Sequence, residues 1–114
     1  MPKFHFDTKI EVFIPEDHVI ILRDELSKVN VGRIGNYDHC VAVSNVRGYF
    51  RPLEGANPFE GTVGKISEVS ECKLEVSCLK ENIPVALEVI RRIHPYEEPI
   101  VNIFTLANAQ YFNE

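Results

Sequence analysis

The chain is short of basic residues and of long apolar runs, and each shortage excludes a class of protein. Lysine and arginine number 12 against 17 aspartates and glutamates, which gives a net charge of −5. The arginines are scattered, so the basic face that nucleic-acid binding needs is missing, and we expect no nucleic-acid partner. No apolar run approaches the roughly 20 residues that cross a bilayer, so we expect no membrane partner.

Signals for export, for disulfides and for common catalytic sites are also missing. Residues 1–8 contain no apolar segment of a secretory leader, so we predict a cytoplasmic location. The three cysteines include no Cys-x-x-Cys pair. Cys72 and Cys78 would lie about 20 Å apart on one strand, too far to bridge, and reduced thiols fit the cytoplasm. No serine lies in a nucleophile elbow, and no phosphate-binding loop is present.

Alternation of apolar and polar residues predicts two half-buried strands, at residues 9–14 and 69–79. Apolar residues at helical spacing predict two helices. The first helix opens at Pro15, and the second opens at Asn82 with Pro84 in its first turn. The predicted inner stripes are Val19, Leu22, Leu26 and Val29 in the first helix, and Ile83, Leu87, Ile90 and Ile93 in the second.

Further strands and one long loop complete the pattern. Residues 40–46 predict a strand, Arg47-Gly48 a turn, and residues 49–51 a short returning strand. Residues 53–64 are rich in glycine and predict a long loop, which is often a functional element. Residues 100–106 predict a last strand that is apolar on both faces. Such a strand is either central in its sheet or covered by a partner.

The order of these elements predicts one α+β domain over residues 1–114, with short tails at 1–8 and 108–114. It is a ferredoxin-like split β-α-β sandwich, in which an antiparallel sheet carries two helices on one face and a small extra hairpin is added. The other sheet face then has no cover within the chain, and Phe13 with Phe104 or Val101 would lie there. An open apolar face indicates an interface, so we expect a homo-oligomer.

Four motifs resemble the insert domain of Nif-three-like proteins (the YqfO type). They are residues 32–40 (GRIGNYDHC), 48–52 (GYFRP), 54–58 (EGANP) and 94–99 (HPYEEP). The resemblance implies a fold like that of CutA and the PII signalling proteins, which are oligomeric. Full-length Nif-three-like proteins have flanking domains whose His, Asp and Glu residues hold a pair of metal ions. This sequence has no counterpart of those flanks, so the resemblance implies an insert domain standing alone, without that metal site or a hydrolase activity.

Residues 94–99 form the first candidate for a functional site. Their two prolines restrict the backbone, so the polar side chains are presented in a set geometry. His94 could serve as a metal ligand or an acid–base group, with Glu97 or Glu98 as an oxygen ligand. A histidine at a helix end also suits a purely structural role, adjacent glutamates on an extended segment diverge, and Tyr96 is as readily a packing residue.

The loop at residues 32–40 is the second candidate site. Its two glycines permit close backbone approach to a ligand, and they equally suit a tight connection into the next strand. Asn36, Tyr37 and His39 are the residues of this loop that could bind a ligand. The family pattern suggests that this loop meets the His94 loop. The full set of candidate ligand-binding residues is Asn36, Tyr37, His39, His94, Tyr96, Glu97 and Glu98, of which His94, Glu97 and Glu98 are candidate metal ligands.

These features favour an oligomeric binding or interaction module over an enzyme. One alternative is a small CutA-like divalent-metal-binding protein, with His94 and Glu97 or Glu98 as ligands. Another is an enzyme of unknown reaction that acts in a cleft between the His94 loop and the loop at residues 32–40. The main interpretation needs no cofactor, and a divalent metal belongs only to the first alternative. The expected partner is a second copy of the chain, with a protein or a small ligand as further candidates.

Overall fold

The alternating segments predicted from the sequence form the two central strands of a sheet. The computed structural model describes residues 5–112, with strands β1 at Thr8–Ile14, β2 at Val41–Phe50, β3 at Ser67–Cys78 and β4 at Val101–Thr105. All pairs are antiparallel, and the strand order is β2-β3-β1-β4. This is the order of a ferredoxin-like sandwich, so the predicted fold class is confirmed.

Two helices cover one face of the sheet. They are α1 at Val19–Lys28 and α2 at Ile83–Ile93. Pro84 lies in the first turn of α2, where backbone N–H groups have no acceptor within the helix, so the N–H that proline lacks costs no hydrogen bond. Asn82 occupies the predicted N-cap position, but its side chain makes no capping hydrogen bond. A short helix, α3, follows at Ala109–Phe112. Within the part of the chain that the structure describes, no helix is long and apolar enough to cross a membrane.

The core lies between the two helices and alternate residues of β1 and β3. Side chains of β1 alternate strictly between buried and half-buried, because successive residues of a strand point to opposite faces. The stripe of α1 lies as predicted, with Val29 partly buried at its end. The stripe of α2 is rotated from the prediction. Its buried residues are Ala86, Val89 and Ile90, while Ile83, Leu87 and Ile93 are partly buried beside the core.

The predicted turn at Arg47-Gly48 is wrong. Strand β2 runs without a break and pairs with β3 over its whole length, from Val41 opposite Val76 to Phe50 opposite Ser67. The small extra hairpin is therefore absent, and a single long β2–β3 hairpin replaces it. Gly48 lies within the strand and not in a turn, and the flexible side chain of Glu71 places its carboxylate beside it, where a methyl group would otherwise lie.

The β2–β3 hairpin extends beyond the rest of the sheet. Strand β1 pairs with β3 only from Cys78 back to Cys72, so within residues 5–112 no third strand lies beside residues 46–50 and 67–71. We call these two segments the arm. The loop at residues 51–66 joins them, in agreement with the long loop predicted at 53–64. The molecule is accordingly elongated, with extents of 55 × 25 × 24 Å.

Strand β4 lies at an edge of the sheet, which excludes the central position and leaves the second predicted alternative, cover by a partner. It pairs with β1 only, and most of its side chains are exposed. Opposite residues of paired strands share a face. Val101 lies opposite Val12 on the helix side, whereas Phe104 lies opposite Lys9 on the open side, together with Phe13 of β1. Cover by a partner stays a prediction for this strand.

The predicted tails at 1–8 and 108–114 fall partly outside the described residues. Inside the description, Thr8 already belongs to β1, and the backbone N–H of Asp7 donates to the carbonyl of Cys78 at 3.2 Å. The side-chain amide of Asn108 donates to the carbonyl of Phe6 at 2.6 Å. Residues 6–7 therefore continue the packing of the sheet.

Leu74 is fully buried at the centre of the core. We expect Leu74→Ala to lower the free energy of unfolding by about 2–5 kcal/mol, because it removes buried methyl groups and leaves a cavity. Urea unfolding measures this change. Val43 lies directly opposite on the edge strand β2 and is 46% exposed. Val43→Ala is the matched control, and a loss of similar size there would contradict the assigned core.

Candidate functional site

Three of the four sequence motifs meet at one end of the sheet. The turn at residues 94–99 follows α2 directly, and it contacts both the arm and the loop at residues 51–66. We call the contacting side chains the motif junction, and they are His94, Tyr96, Glu97, Glu71 and Phe59.

His94 is buried at the junction, and both of its ring nitrogens are used. Its exposed fraction is 8%, so it does not face solvent. The Nε2 atom lies 2.6 Å from the carbonyl oxygen of Phe13, and a carbonyl oxygen only accepts, so Nε2 carries the proton. The Nδ1 atom accepts the backbone N–H of Tyr96 at 3.2 Å. Burial lowers the pKa of His94, which favours this neutral form.

Tyr96 connects the turn to the arm. Its ring centroid lies 4.8 Å from that of His94, and its hydroxyl donates to Oε1 of Glu71 at 3.1 Å. Burial and the charge of Glu71 raise the pKa of the Tyr96 phenol, so it is a hydrogen-bond donor at neutral pH. Sequence reasoning missed Glu71. The signal that could have indicated it was Gly48, an isolated glycine in a strand pattern, which marks close approach of another group.

The two glutamates of the turn differ in their contacts. Oε1 of Glu97 accepts the backbone N–H of Asn57 at 2.9 Å. Glu98 is exposed and makes no side-chain hydrogen bond or ion pair with the residues that the structure describes. The ring of Phe59 lies 6.0 Å from that of Tyr96 and 6.4 Å, edge to face, from that of His18. The turn therefore holds the loop at residues 51–66 through one hydrogen bond and one aromatic contact.

The second candidate loop lies at the opposite end of the sheet. The backbone N–H of Gly32 donates to the carbonyl of Ser77, whereas Tyr96 reaches Glu71, six residues earlier on β3. At 3.3 Å per residue, these two points are about 20 Å apart. The expectation that the two loops meet within one chain is therefore wrong, and so is a cleft between them.

The polar residues of that second loop do not converge on one point. Asn36 and Tyr37 are exposed at a tight turn closed by hydrogen bonds between Ile34 and Tyr37. His39 has a positive φ of 58°, and its Nδ1 lies 2.8 Å from the Asp38 carboxylate and 3.2 Å from the Ser27 hydroxyl. The loop supports the alternative of a tight connection, and ligand binding by Asn36, Tyr37 and His39 stays a prediction.

The metal assignment to His94, Glu97 and Glu98 requires a rearrangement. Between residues 5 and 112, no group of three or more His, Cys, Asp or Glu side chains is placed to hold one ion. His94 would have to give up a hydrogen bond, and Glu97 already accepts one from Asn57. A depression of about 370 Å³ lies beside the junction, with Arg47 and Glu71 in its lining, but it is shallow and polar. Small-molecule sites are normally concave and mostly apolar.

The strand order and the paired helices define an α+β domain with a CutA-like fold. CutA1 from Ehrlichia chaffeensis superposes with a TM-score of 0.68 at 16% identity, covering 95% of this chain and 90% of that chain. CutA from Archaeoglobus fulgidus gives a TM-score of 0.66 at 15% identity, covering 88% and 83%. These likenesses concern the fold alone.

In sequence, the chain is related to Nif-three-like proteins, which confirms the predicted resemblance. A GTP cyclohydrolase 1 type 2 homolog from Halalkalibacterium halodurans is 37% identical over 100 residues, covering 88% of this chain and 27% of that protein. A crystal structure of a Bacillus cereus protein related to NIF3 superposes with a TM-score of 0.78 at 29% identity, covering 95% of this chain and 28% of that chain. The chain therefore spans about a quarter of the length of these relatives. No protein-family model matches the chain.

Removing the His94 side chain should destabilise the protein, contrary to the small effect expected for a solvent-facing histidine. His94→Ala leaves the Phe13 carbonyl and the Tyr96 N–H without their partners, which costs about 1–3 kcal/mol for a buried polar group. The measurement is the free energy of unfolding in urea. The control is His5→Ala, at an exposed histidine, where we expect a change within about 0.5 kcal/mol. Equal effects in the two variants would contradict the structural role.

The free energy of unfolding should decrease as the pH is lowered through the range where His94 titrates. Its pKa in the folded state is lowered from the ordinary 6.5, so protons bind the unfolded chain more tightly than the folded one. The contribution of neutral His94 to the free energy of unfolding is therefore complete above pH 6.5. It is lost as the pH falls through 6.5 toward the pKa of the folded state. Urea midpoints of the wild type and of His94→Gln, which cannot titrate, measure the difference in slope. If the urea midpoints of the two proteins change with pH in parallel, His94 is not the group that causes the pH dependence.

Proposed function

We propose that the chain is an oligomeric binding module that associates with a second copy through the open face of its sheet. The observation that carries this proposal is the charge pattern of that face. Lys9 lies 2.6 Å from Glu75 and 3.5 Å from Glu11, and Lys73 lies 3.9 Å from Glu75. Two positive and two negative side chains form one network, so the centre of the face is neutral.

The charge network makes the open face compatible with contact by another protein surface. Its four side chains retain only 15–31% of their exposure, because they pack along one another across the strands. The bond with Lys9 lowers the pKa of Glu75, and the bond with Glu75 raises the pKa of Lys9, so both stay charged at neutral pH. Opposite charges that are already paired allow an identical face to approach without net repulsion.

The ring of Phe104 adjoins this network at the β4 edge. Phe104 is 42% exposed, and the ammonium of Lys9 lies 5.5 Å from its ring centroid. Ile103 is exposed on the other side of the same strand.

At the opposite edge, β2 is ten residues long and contains no lysine or proline. Natural proteins usually protect such long edges with those residues, so their lack supports pairing or cover by another chain.

The arm and its loop extend the apolar surface. Exposed apolar side chains are concentrated between residues 49 and 66, where the helices do not cover the chain. An exposed apolar surface of this extent supports a contact with protein. The residues concerned are Tyr49, Phe50, Leu53, Phe59, Val63 and Ile66.

The state of the cysteines supports a cytoplasmic setting for this module. Cys40, Cys72 and Cys78 are all free. Burial raises the pKa of Cys72, and it raises that of Cys78 to about 11, so these two thiols are poorly reactive at neutral pH. Free cysteines persist in a reducing compartment. The cyclohydrolase activity named for the relatives forms no part of the proposal, because the chain spans only 27% of such a protein.

The mass in solution should exceed the 13.0 kDa of a single chain. Light scattering across a range of micromolar concentrations measures it. Phe104→Ser removes the exposed ring from the open face, and we expect association to weaken roughly tenfold, as for an anchor residue worth more than about 1 kcal/mol. Ile20→Ser is the control, because Ile20 is exposed on α1, away from that face. A monomeric wild type, or equal weakening by both substitutions, would overturn the proposal.

A further inference from the structure

The loop at residues 51–66 lies on the motif junction in the way that a bound peptide would. It contributes a backbone N–H, from Asn57, to the carboxylate of Glu97 at 2.9 Å. Two residues later it contributes the ring of Phe59, which contacts Tyr96 on one side and His18 on the other. A main-chain donor followed by an anchoring side chain is the usual arrangement of peptide recognition.

Both surfaces of this contact have restricted backbones. Pro58 biases Asn57 toward an extended conformation, and Pro95 and Pro99 restrict the turn at residues 94–99. His94 fixes the turn further, because its two nitrogens bond to the Phe13 carbonyl and the Tyr96 N–H. A rigid receptor and a rigid segment lose little entropy when they dock. The turn therefore has the properties of a pre-formed site.

The loop itself is attached weakly enough to be displaced. Among the residues that the structure describes, its other backbone hydrogen bonds are internal, from Ala56 to Leu53, from Gly64 to Pro52 and from Lys65 to Thr62. Phe59 keeps 56% of its exposure in the docked state. Segments with few buried contacts open at low free energy. The loop can leave the turn while its own internal turns stay formed.

We propose that the turn at residues 94–99 is a peptide-docking site, occupied within the chain by its own loop. The peptide segment that fits is extended, with a free backbone N–H two positions before an aromatic side chain. The partner segment is uncharged or basic, because Glu16, Asp17 and Glu71 outnumber Arg47 around the junction, whereas Glu60 leaves with the displaced loop. Docking of a partner displaces the loop at residues 51–66. The site does not depend on self-association, so a monomeric chain would still bind.

A capped neutral peptide, acetyl-Gly-Ala-Asn-Pro-Phe-amide, copies residues 55–59 and serves as the probe. Calorimetric titration compares the wild type with Phe59→Ala, in which the competing ring is removed. We expect the variant to bind the probe roughly tenfold more tightly, since an aromatic contact of this kind is worth up to a tenfold change in affinity. Circular dichroism confirms that the variant is folded, as its exposed position predicts.

Two controls decide whether the probe binds at the proposed site. In the Phe59→Ala background, Glu97→Ala should abolish most of the binding, whereas Glu98→Ala at the neighbouring exposed position should leave it unchanged. A probe with alanine in place of phenylalanine should not bind. The proposal is overturned by absence of binding to Phe59→Ala, by equal binding to the wild type, or by equal effects of the two glutamate substitutions.

Discussion

The hydrogen bond from Nε2 of His94 to the carbonyl of Phe13 positions the turn at residues 94–99, and through it the arm and the loop at residues 51–66. It joins the residue that follows α2 to the backbone of β1, at 2.6 Å. Because Nε2 carries the proton, Nδ1 is free to accept the Tyr96 N–H, and that second bond fixes the turn. Tyr96 is thereby placed to reach Glu71 of the arm, and Glu97 to hold Asn57 of the loop. One imidazole in one tautomer thus positions three segments of chain.

This arrangement changes what the His-Pro-Tyr-Glu-Glu-Pro pattern indicates. A histidine, a phenol and two carboxylates between prolines are the groups that catalysis or metal binding would use. Here both ring nitrogens of His94 and the hydroxyl of Tyr96 already have hydrogen-bond partners in the protein, and one carboxylate oxygen of the exposed Glu97 accepts a backbone N–H. The pKa values of His94 and Tyr96 also move away from neutral pH, since burial lowers that of His94 and raises that of Tyr96. The pattern therefore specifies a rigid surface, which suits recognition better than reaction.

Local patterns predicted the elements well, and contacts between distant residues account for the errors. Strict alternation in β1 and β3 needs no knowledge of the partner strand, because it follows from the two faces of a strand. An isolated glycine in a strand pattern indicates either a turn or the close approach of another group, and at Gly48 the choice depends on Glu71 across the hairpin. Apolar residues on both faces of β4 suit a central strand or an edge awaiting cover, so the pattern could not choose between them. The burial of His94 depends on Phe13, 81 residues away.

The arm explains why three motifs meet where they do. A two-stranded ribbon is marginally stable in water, and the arm has no third strand beyond Cys72. Something must tie it to the body. The Tyr96–Glu71 bond holds its base, and the weaker contacts of Asn57 and Phe59 bring its loop back onto the turn. These ties leave the outer edge of β2 and the apolar loop residues exposed, so the same elements that stabilise the arm also present it to other proteins.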